Sequence, residues 1–283
     1  MCTDRKSFRV VITGKGGVGK TTLTSCLATV LARDGINVLA VDEDPQMNLP
    51  YALGLGMERA AKIVPLNLNS DYIEEKTGIN PKKNSWGSMF KLNPDVDDVV
   101  ERFGMKVADN LNLLVMGTVK QAGGGCLCAE NVLLDSTIRH LALRPNEGIL
   151  LDTQAGVEHF GRALSRGFSH CLIVADDTFN ALTVACHSAD LARQIGIPNV
   201  SLVVNRATDV TAGKLARFEK ETGKPLTERF DSHYLLPAEP LLLDLEPEVT
   251  RIMTNPESSY AAAVESLASR LASPHCSCSA PAA

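Results

Sequence analysis

Two short stretches of the chain combine residue types that do chemistry. Gly14 to Thr22 reads GKGGVGKTT, and Gly123 to Asn131 reads GGGCLCAEN. In the first, Gly14, Gly16, Gly17 and Gly19 leave the backbone free to curl its N–H groups around an anion. Lys20 adds a mobile positive charge and Thr21 a hydroxyl. The stretch satisfies G-x-x-x-x-G-K-[ST], it follows the apolar run FRVVIT (8–13), and it opens a helical pattern at 20–33. A strand, a glycine loop and a helix start in that order form a phosphate cradle, because the helix N-terminus adds favourable partial charge. Gly14, Lys15, Gly16, Gly17, Val18, Gly19, Lys20, Thr21 and Thr22 are therefore the expected nucleotide loop. Lys20 is expected on the β- and γ-phosphates and Thr21 on Mg²⁺.

The second stretch offers Cys126 and Cys128. On a helix, residues two apart lie ~200° around the axis and cannot share one ion. In extended chain they point to the same side, ~7 Å apart. The pair is thus expected to precede the helix AENVLLDSTIRHL, with Gly123–Gly125 permitting the bend and the helix start favouring thiolate. Two soft ligands are half of a closed thiolate site. An isologous dimer would bring in the same pair from the partner and complete four. Of the eight cysteines, Cys26, Cys171 and Cys186 sit in apolar segments and read as core residues. Cys276 and Cys278, in the tail HCSC with His275 and Ser277, could recruit a soft metal or be chance residues of a flexible end.

Positioning these groups requires alternating elements. Strands are expected at 8–13, 37–42, 111–116, 148–152, 171–176 and 201–205, and helices near 20–33, 129–143, 157–166, 179–195, 212–222 and 258–272. Continuously apolar strands alternating with amphipathic runs predict an α/β fold: a mostly parallel central sheet flanked by helices on both faces. Residues 1–272 read as one domain, 70–98 as a polar insertion over the sheet edge or mouth, and 273–283 as a flexible tail. Net charge is −5 with no Lys/Arg block, which argues against nucleic acid as the main partner. The start lacks the long apolar region of a signal peptide, and no run approaches the ~20 apolar residues of a membrane span. A soluble cytoplasmic protein without membrane or nucleic-acid partners is expected.

The form K-G-G-x-G-K-T, with Lys15 as an extra lysine, resembles the deviant Walker A loop of the dimeric ATPases that include nitrogenase iron protein, arsenite-pump ATPase and the Min/Par proteins. That resemblance covers residues 8 to roughly 240 and implies a P-loop NTPase that binds ATP or ADP. It assigns Lys15 to the partner's nucleotide across a dimer interface, which makes ATP a dimerisation switch. In VDEDP it places Asp42 near Mg²⁺ and gives Asp44 the attacking water. In ILLDTQAG it makes Asp152 the Walker B acid and Gly156 the switch glycine that meets the γ-phosphate. In VVNR it sets Asn205, with Arg206 beside it, on the adenine.

MGTVKQAGGGCLCAEN and AGVEHFGR, taken with the loop, resemble the CooC-type ATPases that support nickel insertion into carbon monoxide dehydrogenase. The resemblance implies Ni²⁺, or Zn²⁺ in its place, held by Cys126 and Cys128 between subunits of a homodimer, with the apo-enzyme as client. Gln46 and Gln154 depart from the acids usual in the family's D-x-D-P-D and D-x-E-A-G segments, and Glu43 adds a carboxylate. His159 reads as a hydrogen-bonded structural residue more readily than as a ligand. Two other readings stand beside this one. An interface iron–sulfur cluster would also use four thiolates. A Min/Par-type positioning switch would need the basic surface or basic amphipathic helix that the chain lacks.

Overall fold

The computed structural model describes residues 7–80, 91, 94–117, 128–140, 144–156 and 167–273, with the backbone alone at 128–131 and 139–140. Eight strands form one sheet: β1 (Phe8–Gly14), β2 (Asn37–Asp42), β3 (Met105–Ala108), β4 (Leu111–Val115), β5 (Glu147–Asp152), β6 (His170–Ala175), β7 (Asn199–Ala207) and β8 (Ser232–Pro237). Their order is β3-β4-β2-β5-β1-β6-β7-β8. β3 runs antiparallel to β4, while every other neighbouring pair is parallel. The six expected strands are all present. β3 and β8 are additional.

The longer helices are α1 (Lys20–Arg33), α2 (Ser70–Thr77), α3 (Cys128–His140), α4 (Phe179–Gln194), α5 (Thr211–Thr222) and α6 (Ser259–Ala272). They cover both faces of the sheet. On one face Val10 and Ile12 of β1 pack with Leu23, Leu27 and Leu31 of α1 and Tyr260, Val264 and Leu267 of α6. On the other, Val11 of β1 joins Tyr72 and Ile73 of α2, Leu133, Leu134 and Ile138 of α3, and Phe218 of α5. Alternate residues of one strand thus feed two cores, which is why its sequence is apolar throughout. Leu23, Leu27 and Leu31 recur every four residues and are each no more than 1% exposed. Burial of such a side chain is worth about 1.5–3 kcal/mol, so this stripe fixes the helix whose first turn builds the site.

Within residues 70–98, α2 buries Tyr72 and Ile73, and Tyr72 donates a 2.9 Å hydrogen bond to Asp98. The expected helix near 157–166, His159, Cys126 and the tail from 274 onward lie outside the described residues. The helix after the glycine stretch begins at Cys128, one residue earlier than expected, so that cysteine is the first helical residue. Among the described residues no helix is long and apolar enough to cross a membrane.

Candidate functional site

β1, β2 and β5 all deliver their C-terminal ends to one edge of the sheet, where ligands of open α/β sheets bind. The loop from Gly14 to Gly19 rises there from β1 into α1. Gly14, Gly17 and Gly19 have φ of 144°, 76° and 95°, a region that excludes other residues without strain. At Gly14 a Cβ would also run into the Val174 carbonyl, and at Gly19 into the Asn205 amide. α2, α4 and α6 each begin with a side-chain cap, from Asn69, Thr178 and Ser258 respectively. α1 has Gly19 in that place, with no side-chain cap and no acid in the first turn. Its first N–H groups are thereby left for an anion.

Lys20 is 7% exposed, and its ammonium donates to the Lys15 carbonyl at 3.3 Å. Burial lowers its pKa, opposed by the charges of Asp152 and Asp44. Lys15 itself points outward and is exposed.

Asp42 ends β2 and Asp152 ends β5, and the parallel register sets them side by side. Both are buried, at 0% and 1% exposure. The Thr21 hydroxyl donates to Asp152 at 2.7 Å, and the Thr24 hydroxyl approaches its other oxygen at 3.3 Å. Burial pushes the Asp152 carboxyl up to about 6, although Thr21, the Lys20 charge and Thr24 pull it down. Burial and then the Asp152 charge hold Asp42 well above the ordinary carboxylate range. The Thr21–Asp152 couple fits a hard divalent cation, which favours oxygen ligands and keeps few from the protein.

Asp42 is differently engaged. One of its oxygens accepts the Asp44 N–H at 2.9 Å and the other the Leu49 N–H at 3.2 Å, so the side chain staples the turn that carries Asp44. Asp44 in turn accepts the Gln46 N–H at 2.8 Å. Gln46 is exposed, and Glu43 is fully buried.

Gly156, with φ of 106°, bridges to Gly14, donating its N–H to the Gly14 carbonyl at 3.4 Å. Asn205 lies against the loop from the side of β7, its amide donating to the Val18 carbonyl at 2.8 Å. The structure therefore brings Lys20, Thr21, Asp42, Asp44, Asp152, Gly156 and Asn205 to one edge around the loop.

The family model described as the CobQ/CobB/MinD/ParA nucleotide-binding domain matches residues 9–227. The carbon monoxide dehydrogenase accessory protein CooC of Rhodospirillum rubrum is 37% identical over 207 residues, which is 73% of this chain and 77% of that protein. The chain belongs to the MinD/ParA family, in its CooC-type branch. An uncharacterized ATP-binding protein of Methanocaldococcus jannaschii is 42% identical over 199 residues, 70% of this chain and 75% of its own length. MinD of Aquifex aeolicus shares the fold, with a TM-score of 0.64 at 23% identity over 93% of this chain and 96% of that one.

For a CooC-type ATPase, one connection at this edge had no sequence signal. Met116, the residue after β4, donates its N–H to the Asp42 carbonyl at 2.9 Å, and its own carbonyl accepts the Asn67 N–H at 3.0 Å. Gly117 follows with φ of +69°, and a Cβ there would run into the Asn67 side chain. The end of β4 is thus tied directly to a residue of the nucleotide edge. Cys26, Cys171 and Cys186 are buried in the core, and burial pushes the Cys26 thiol up to about 12. They are packing residues rather than ligands.

Proposed function

We propose that this protein is a homodimeric, Mg-ATP-dependent metallochaperone ATPase that carries nickel on Cys126 and Cys128 and supports its insertion into carbon monoxide dehydrogenase or a related nickel enzyme. The observation that carries this reading is the nucleotide edge, where Lys20 and the couple of Thr21 with buried Asp152 stand beside a helix start that no side chain caps. Beside the phosphate loop, Met116 just after β4 donates its N–H to the Asp42 carbonyl. The similarity to the accessory protein of R. rubrum supports the client class.

In this reading the loop N–H groups and Lys20 bind the phosphates of ATP. Thr21 and Asp152 hold Mg²⁺, which when bound neutralises charge on the β- and γ-phosphate oxygens. Asp42 serves from one step back, fixing the turn that presents Asp44. Asp44 orients the attacking water and takes its proton. The γ-phosphorus–oxygen bond to ADP breaks as the bond to water forms, leaving ADP and phosphate. The Gly156 N–H, on a long 3.4 Å bond to Gly14, transfers to the γ-phosphate when it arrives. Exposed Lys15 reaches the partner's nucleotide and ties ATP binding to dimer closure. Closure brings the two Cys-x-Cys pairs together around one soft ion, and hydrolysis releases it. The protein acts in the cytoplasm.

The functional test is reconstitution under anaerobic conditions. Nickel-free carbon monoxide dehydrogenase, limiting Ni²⁺, ATP and this protein should recover CO oxidation. Recovery should be lost with Cys126→Ser and with a non-hydrolysable ATP analogue. Recovery that is equal without the protein, or unaffected by Cys126→Ser, refutes the assignment.

A further inference from the structure

The family resemblance sets Asn205 on the adenine, yet both ends of its side chain are already engaged within the chain. Asn205 is 6% exposed. Its Nδ2 donates to the Val18 carbonyl at 2.8 Å, across 187 positions of sequence, and its Oδ1 accepts the Arg206 N–H at 2.9 Å. Arg206 itself has φ of +56°, in the left-handed region. The bond from Nδ2 lands on the phosphate loop itself. Val18 is buried at 2% exposure and packs into the core on the α1 face of the sheet.

The planar trans peptide makes this bond consequential. The Val18 carbonyl and the Gly19 N–H belong to one peptide unit and point in opposite directions. Holding the carbonyl toward Asn205 holds the Gly19 N–H facing away from it. Gly19 lies so close to Asn205 that any Cβ at position 19 would meet Nδ2. The glycine and the asparagine are therefore matched. One must lack a side chain so that the other can reach the carbonyl.

We propose that Asn205 is a positioning residue of the phosphate loop: it fixes the Val18–Gly19 peptide so that the Gly19 N–H stays aimed at the anion, whether or not a base is present. An amide is required, because the side chain donates at one end and accepts at the other. Aspartate keeps the acceptor but sets a charge against the Val18 carbonyl. Alanine loses both bonds. The role needs only the nucleotide site and is independent of the proposed metal chemistry.

Inorganic tripolyphosphate, which carries the phosphates without a base, separates the two roles. Binding of Mg-tripolyphosphate, Mg-ATP and Mg-GTP would be measured by calorimetry for the full chain and for Asn205→Asp and Asn205→Ala. We expect tripolyphosphate and ATP to weaken together by about tenfold, the scale of one buried hydrogen bond lost with its partner left unpaired. The preference for ATP over GTP should stay within twofold of the wild type. Unchanged tripolyphosphate binding with a collapsed ATP preference overturns the proposal and makes Asn205 a base reader. The wild type gives an answer even if the variants fail to fold. With selectively ¹⁵N-asparagine-labelled, nucleotide-free protein, a side-chain amide strongly protected from hydrogen exchange is expected at Asn205. Protection that arises only when ATP is added overturns the proposal.

Discussion

Replacing Asp152 by asparagine should stabilise the nucleotide-free protein while destroying its activity. The carboxyl is pushed from 3.8 to about 6, with burial the leading cause. A raised acid pKa means that the native state holds a proton the unfolded chain gives up. Stability is therefore lost as pH rises from about 4 through about 6, and the full cost is present above that. A shift of this size is worth about 3 kcal/mol at ~1.4 kcal/mol per pH unit. Asparagine removes the charge and keeps an oxygen for the Thr21 hydroxyl, now at 2.7 Å, with its amide available to the Thr24 hydroxyl. For a chain of this length about 3 kcal/mol corresponds to a rise in Tm of roughly 5 °C. Thermal unfolding followed by circular dichroism, without nucleotide or divalent cation, should show that gain for Asp152→Asn at pH 8 and most of it gone at pH 4.5. A lower Tm at pH 8, or a gain independent of pH, would refute the reasoning. It would mean that the carboxylate is stabilised where it sits rather than held at a cost for its ligand.

Other outcomes follow from the same geometry. Lys20→Met should lower kcat for ATP hydrolysis by about 10²–10³, the scale for one preorganised charge contact, with an unchanged far-ultraviolet circular dichroism spectrum. Lys15→Gln should leave ATP binding to the monomer within severalfold and abolish ATP-dependent dimerisation, read by light scattering. Gly117→Ala sets a Cβ against Asn67 in a left-handed backbone. It should cost about 1–3 kcal/mol in urea unfolding, and Asn67→Ala in the same chain should restore part of that loss.

The nucleotide loop was legible because its chemistry is local: nine consecutive residues carry glycine freedom, charge and hydroxyl together. The central strands were legible because burial on two faces leaves nothing but apolar residues, as in NVLAVD of β2. β3 and β8 escaped for the opposite reason. They are the edge strands, and MKVA and SHYLLP are only half-buried, so each mixes polar residues into a run too short to stand out. α2 was hidden by polar residues around buried Tyr72 and Ile73. At the site, the sequence placed Asp42 and Asn205 at strand ends but could not show their partners. Asp42 uses both oxygens on its own turn, and Asn205 reaches a carbonyl 187 positions away. Such bonds depend on register between distant strands, which residue type and spacing do not encode. The Met116 link to Asp42 is backbone to backbone and leaves no trace in side-chain identity.

Native mass spectrometry of the anaerobically prepared protein with Ni²⁺ and nucleotide tests the central claim most directly. One Ni²⁺ per dimer is expected in the ATP-bound state, lost with either Cys126→Ser or Cys128→Ser and retained when the chain is cut back to residue 273. Nickel bound to monomers through the Cys276–Cys278 tail alone, or stoichiometric nickel in both cysteine variants, would contradict it.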